Sequence, residues 1–182
     1  MLKKLNQKGV TLLETILVMS LIAIIMIGGL NLYRGANEKT KVNEAVREIT
    51  GLSTGIRSLY ASSADFGGSN PLDNQVVIDS GAAPKGMRIV GNTIMNVFDG
   101  SVTVSPEDHQ NGATDAVFSI EYGNLSKSAC VELASTDLDA ANVGNVGLSH
   151  SLTADLSPAS PGSAVALCPT ETGNTLVWIF GN

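Results

Sequence analysis

The sequence predicts an α+β fold: a long N-terminal α-helix laid against an antiparallel β-sheet domain that carries a second helix and one disulfide. Three observations predict it. From Val10 to about Ala61 the apolar residues first run almost unbroken and then recur every three or four positions, as along one helix. From Met87 onward, short segments rich in Val, Ile, Phe and Tyr alternate with Gly, Asn and Asp, as antiparallel strands and their turns do. The two cysteines, Cys130 and Cys168, both fall in that second part. A chain of 182 residues accommodates one globular domain on a stalk, and its 19 glycines and 4% aromatics point to many turns around a core of small and aliphatic side chains.

The first element is the run from Lys8 to Tyr33. Between Val10 and Leu30 its only ionised side chain is Glu14. About 20 helical residues rise roughly 30 Å, enough to cross a bilayer core. The head before it carries Lys3, Lys4 and Lys8 and no acid, like the start of a secretory signal. An ordinary signal peptide has only about 7 to 15 apolar residues before a small-residue cleavage site. Here the run is longer and Gly28, Gly29, Gly35 and Ala36 are poorly placed for cleavage, so a plain signal anchor is the simplest alternative. Charge counting leaves orientation open, because Arg34, Lys39 and Lys41 beyond the run match the leader lysines. Glu14 is the anomaly: a carboxylate in a membrane helix costs several kcal/mol and needs a cation. A cut between Gly9 and Val10 would create an ammonium on Val10, four residues before Glu14 on the same helical face, and a neighbouring copy's terminus could pair with that carboxylate.

Lys8-Gly9-Val10-Thr11-Leu12-Leu13-Glu14, followed by an apolar run, resembles the cleavage and methylation motif of type IV prepilins. The resemblance implies that a prepilin peptidase cuts after Gly9, that Val10 becomes the first, N-methylated residue, and that Glu14 is the glutamate used in assembly. With Val10 where the type IVa class has Phe, Val-Thr-Leu-Leu-Glu resembles the type IVb class, that of bundle-forming, toxin-coregulated and conjugative thin-pilus major pilins. It implies the type IV pilin fold, divided into a leader peptide (1–9), a transmembrane and filament-core helix (10–33), the amphipathic half of the same helix (34–61), an αβ-loop (62–86) and a globular domain (87–182).

In the amphipathic half, Val42, Ala45, Val46, Ile49, Leu52, Ile56, Leu59 and Tyr60 form the apolar stripe, while Glu44, Arg47, Glu48 and Arg57 are assigned to other faces. Gly28, Gly29 and Gly35 each weaken a helix by about 1 kcal/mol relative to Ala. They read either as packing glycines or as a segment that melts and stretches on assembly. Residues 62–86 read as a long loop with one short strand at Gln75 to Ile78. Strands follow at Met87 to Val90, Thr93 to Phe98, Ser101 to Val104 and Ala116 to Tyr122, with Asp99-Gly100 as a hairpin turn. Asn96-Val97-Phe98-Asp99-Gly100 is similar to a turn of type IVb pilins, with Asp99 where they have glycine. A helix opens near Ser126 or Ser128 and bears Cys130, and its Ala129-Cys130-Val131 step resembles bundle-forming pilins. Asn142 to Leu156 reads as turns, and Thr175 to Phe180 as an apolar strand docked inside a sheet.

Cys130 and Cys168 are compatible with a disulfide in an oxidising compartment, the alternative being two buried thiols. His109 and His150 sit in turn-like contexts without ligand spacing, so neither metal nor triad chemistry is expected. No calcium-loop or phosphate-binding pattern occurs, and no cofactor is expected. Asn124-Leu125-Ser126 has the form of a glycosylation acceptor but reads as a plain loop. Beyond Arg88 the only basic residue is Lys127, against ten acids, which disfavours nucleic acid as a partner.

These readings converge on a filament subunit rather than an enzyme. A minor pilin or a secretion pseudopilin shares the head motif, and a signal-anchored enzyme has no supporting constellation. The partners implied by the resemblance are further copies in a helical filament, the prepilin peptidase, an inner-membrane assembly platform with its ATPase, and an outer-membrane secretin. The implied locations are the bacterial inner membrane of a Gram-negative cell before assembly and the extracellular pilus after it.

Overall fold

The computed structural model describes residues 11–68, 71–108, 113–140, 142–145 and 155–181. The helices are α1 (Leu12–Leu59), α2 (Asn74–Asp79), α3 (Lys127–Ala134) and α4 (Pro161–Leu167). The strands are β1 (Arg88–Val90), β2 (Thr93–Met95), β3 (Ser101–Glu107), β4 (Val117–Leu125), β5 (Asn142–Asn145), β6 (Asp155–Leu156) and β7 (Asn174–Gly181). Two compact units divide between Glu38 and Lys39, and α1 contributes to both.

In the second unit, spacings of three and four put Val42, Ala45, Ile49, Leu52 and Ile56 on one face of α1, with Tyr60 just past its end, and all are buried. They share a core with Val102 and Val104 of β3, Phe118, Ile120 and Tyr122 of β4, and Leu176, Trp178 and Phe180 of β7. Among the described residues the sheet has seven strands, all antiparallel, in the order β1-β2-β3-β4-β7-β5-β6. The C-terminal strand is thus an inner one, paired with β4 on one side and β5 on the other, as its apolar sequence predicts. A run of rings, Tyr60, Phe66, Phe118 and Phe180, with neighbouring centroids 4.8 to 5.4 Å apart, links the end of α1 to the sheet.

Three local expectations are corrected. The strand expected at Gln75 to Ile78 is helix α2. Asp73 caps it, its carboxylate accepting from the Val76 N–H at 2.7 Å, and the cap outweighs the β-branched run. The neighbouring β3 backbone is occupied by a side chain instead, because the Asn74 amide donates to the Val102 carbonyl at 2.8 Å and accepts from the Val104 N–H at 2.9 Å. Next, β2 stops at Met95 rather than reaching Phe98. Asn96 Oδ1 accepts from the N–H groups of Phe98 and Gly100, both at 2.9 Å, so the connection is a loop wrapped on Asn96 and not a two-residue Asp-Gly hairpin. There Asp99 takes a φ of 59°, and a Cβ on Gly100 would lie 2.1 Å from the Gly123 carbonyl oxygen. Third, part of the stretch expected as turns forms β5 and β6; Val143 pairs opposite Trp178, a tertiary pairing that polar composition conceals. The segment before Cys168, to which the sequence reading assigns no element, is helix α4, capped by Ser160 with Pro161 in its first turn, a start signal present in the sequence.

The helix expected near Ser126 or Ser128 begins at Lys127, with Ser126 Oγ accepting from the Ala129 N–H at 3.2 Å. A Cys130–Cys168 disulfide joins α3 to the end of α4 across a Cα separation of 6.0 Å, and both cysteines are fully buried.

Candidate functional site: the uncovered N-terminal helix and its domain

The helix opens on Thr11, whose carbonyl and Oγ1 accept from the Glu14 N–H at 3.0 and 3.3 Å. Thr11-x-x-Glu14 has the spacing of a capping box, and a carboxylate in the first turn faces the positive end of the helix dipole. Glu14 is exposed. The hydroxyls of Thr15 and Ser20 are satisfied within the helix, donating to the carbonyls of Leu12 and Leu17 at 2.8 Å, which suits an apolar surrounding.

Beyond this turn, large apolar side chains are uncovered on every face: Leu13 is 74% exposed, Met19 71%, Ile24 68% and Leu32 78%. Length and composition suit this helix to cross a membrane, and none of its apolar window is buried by the chain itself. An apolar surface of this extent is stable only against lipid or other protein. The helix runs through Gly28, Gly29 and Gly35 without interruption, and a Cβ at any of them would meet no atom within 4 Å. The chain's own packing gives no reason for these glycines.

In the second unit the sequence periodicity misplaces three residues: Glu48 and Arg57, and Leu59, which is assigned to the apolar stripe yet is 40% exposed. Glu48 is only 4% exposed. Its carboxylate accepts from the buried Tyr122 hydroxyl and, at 3.3 Å, from the Val97 N–H, tying α1 to β4 and to the Asn96 loop. Burial pushes its carboxyl above the ordinary 4.5, against the two hydrogen bonds, and Glu44 pushes the same way. The Tyr122 phenol is also raised, by burial and then by its bond to Glu48. A sequence signal existed, since Glu48 lies three residues after Ala45 and four before Leu52, both on the buried face. Arg57, assigned to a polar face, reaches across to the chain end: Nε donates to the Gly181 carbonyl at 3.0 Å, a terminal nitrogen pairs with Asp139 at 2.8 Å, and the guanidinium lies 5.7 Å from the Phe180 ring centre. Gly51 and Gly55, four apart on α1, let the loop come close, since a Cβ on Gly55 would sit 2.5 Å from the Ala82 carbonyl oxygen and one on Gly51 3.0 Å from Pro84.

Of the sequence-predicted site residues, Gly9 and Val10 lie outside the described residues, as do His109 and His150. Glu14 is at the helix start, and Cys130 and Cys168 are bonded. Asn124, of the glycosylation-like triplet, uses its side chain within the fold, donating to the Phe98 carbonyl at 2.8 Å. Among the described residues no group of three or more metal-binding side chains assembles.

Comparison with known proteins agrees with this division of the chain. Residues 4–30 match the prokaryotic N-terminal methylation motif, and residues 39–180 match the family described as PilS N terminal. The chain belongs to the PilS family of type IVb pilins. Over 192 aligned residues the pilin is 25% identical to the major structural subunit of bundle-forming pilus of Escherichia coli O127:H6, covering 98% of this chain and 96% of that one. It is 22% identical to the toxin coregulated pilin of Vibrio cholerae over 74% of its own length and 59% of that protein's. Its fold is shared with the crystal structure of a type IV b pilin from Salmonella typhi, with a TM-score of 0.59, 20% identity, and coverage of 79% of this pilin and 99% of that chain. The pilin's disulfide, buried Glu48 and Arg57 all lie within the PilS match.

Proposed function

We propose that this pilin is the major structural subunit of a type IVb pilus, polymerising through its N-terminal helix into an extracellular filament that serves adhesion, cell aggregation or conjugation. One observation supports this most: a helix whose apolar side chains are uncovered on every face belongs to the same chain as a second unit with its own closed core. The first needs partners and the second does not. Likeness along almost the whole chain to a protein named as a major subunit favours that role over a minor pilin or a pseudopilin.

In this reading residues 1–9 are a leader. A prepilin peptidase cuts between Gly9 and Val10 and methylates Val10, and the precursor waits in the inner membrane of a Gram-negative cell with 10–33 in the bilayer. The assembly platform and its ATPase withdraw it into the filament, which leaves through the secretin. Other copies then replace lipid around the same apolar surface, and each Glu14 carboxylate pairs with a neighbour's Val10 ammonium in the apolar core. No catalytic role is assigned. Glu14→Ala tests the reading: the subunit remains folded, cleaved and membrane-inserted, while sheared surface filaments are lost by electron microscopy. Filaments of normal number and length from that variant would contradict it.

A further inference from the structure

Among the described residues Glu48 is the one charged side chain that is buried, and it takes part in no ion pair. The charged and titratable groups around it come from four segments, and none neutralises it. On α1, Glu44 lies one turn before it and opposes its charge, Arg47 is exposed, and Lys41 is held over the Phe98 ring at 5.8 Å. From β4 comes the Tyr122 phenol, a neutral donor. In the loop after β2, Asp99 is paired with Arg88 at 2.7 Å. After α2, Lys85 is exposed between Pro84 and Gly86. A carboxyl enclosed without a cation favours its neutral form.

The loop that Glu48 holds, residues 96–100, is fastened on two sides. Toward the sheet, the Asn96 amide donates to the Gly123 carbonyl at 2.9 Å, the Asn124 amide donates to the Phe98 carbonyl at 2.8 Å, and Gly100 lies so close to Gly123 that a Cβ there has no room. Toward α1, its hydrogen bonding among the described residues rests on one contact, the Val97 N–H donating to the Glu48 carboxylate at 3.3 Å, longer than either amide bond. Beside that contact Glu48 also lines a groove of about 570 Å³, together with Glu44, Arg47, Pro84 and Gly86. The sheet side is therefore held by neutral amides that do not titrate, whereas the α1 side depends on one ionisable group with an open groove next to it.

We infer that Glu48 is a proton-operated latch between α1 and the 96–100 loop. Neutral, its carboxyl stays bonded to Tyr122 and Val97 and holds the loop against the helix. Ionised, with its proton released to water, the side chain turns into the groove, where the charge is hydrated, and the helix side of the loop is let go while the amide ties to the sheet remain. The latch is closed at low pH and loosens as pH rises. Amide hydrogen exchange of detergent-solubilised pilin, disulfide intact and corrected for intrinsic exchange rates, tests it between about pH 5 and about pH 8. In the wild type, protection of the Val97 amide should fall on the order of tenfold across that range, while the amides that pair β4 with β7 keep theirs. Glu48→Gln keeps an acceptor and cannot ionise, so its Val97 protection should not change with pH. Glu44→Gln, at an exposed position, removes the opposing charge and should move the loosening to lower pH. Val97 protection that is constant with pH in the wild type, or that falls equally in Glu48→Gln, overturns the latch. So does a loss of protection that spreads through β4 and β7 at the same pH, which would be unfolding of the whole unit.

Discussion

Replacing Glu48 probes how the second unit is held together. In Glu48→Ala the buried Tyr122 hydroxyl and the Val97 N–H lose their shared acceptor. Each unpaired buried donor costs about 1 to 3 kcal/mol, and together with the lost packing the expected destabilisation is about 3 to 5 kcal/mol, or roughly 10 °C in the melting midpoint. Glu48→Gln keeps an acceptor for both donors and removes the ionisable group. In the wild type the folded carboxyl titrates above its ordinary 4.5, so the folded state holds the proton more tightly than the unfolded one. The stabilisation from this site is therefore complete below pH 4.5 and is lost as pH rises through the folded value. Urea unfolding of detergent-solubilised pilin, disulfide intact, followed by Trp178 fluorescence across that range, should show the Gln variant gaining on wild type as pH rises. A Glu48→Ala protein as stable as wild type, or a Gln–wild-type difference that does not change with pH, would refute the reasoning.

Two further expectations follow from geometry. Gly55→Ala forces the Ala82 backbone away from α1 and should cost about 1 to 3 kcal/mol in the same assay, whereas Gly28→Ala meets no atom within 4 Å and should leave the second unit's unfolding midpoint unchanged. Cys130→Ser opens a closure spanning 38 residues, worth about 4 kcal/mol in the chain-entropy model, and should lower pilin abundance by immunoblot; unaltered abundance and melting would show that the bridge contributes nothing.

The features legible in the sequence are those encoded locally. Helix α1 was readable nearly end to end, because a long apolar run and then a period of three to four leave little alternative. The cap at Ser126 and the inner position of the final strand were readable for the same reason. The errors share a cause as well. Gln75 to Ile78 has strand-forming residues, but Asp73 supplies a helix cap and the Asn74 amide occupies the β3 backbone. β5 is polar and becomes a strand only because β7 lies beside it. Glu48 and Arg57 look solvent-facing by residue type, yet their partners Tyr122, Asp139 and Gly181 lie far along the chain.

Composition and order alone therefore settle that this pilin has an apolar helix needing company, a lone acid at its start, and a cysteine-bearing sheet domain behind it. Each of those properties depends on which residues occupy a short stretch of chain. The tertiary structure decides the rest: that Glu48 is sealed in the core, that Gly51 and Gly55 admit the loop, that Cys130 and Cys168 meet, and that Arg57 pairs with Asp139. Those depend on distances between residues remote in sequence, which periodicity does not encode and only the packed chain fixes.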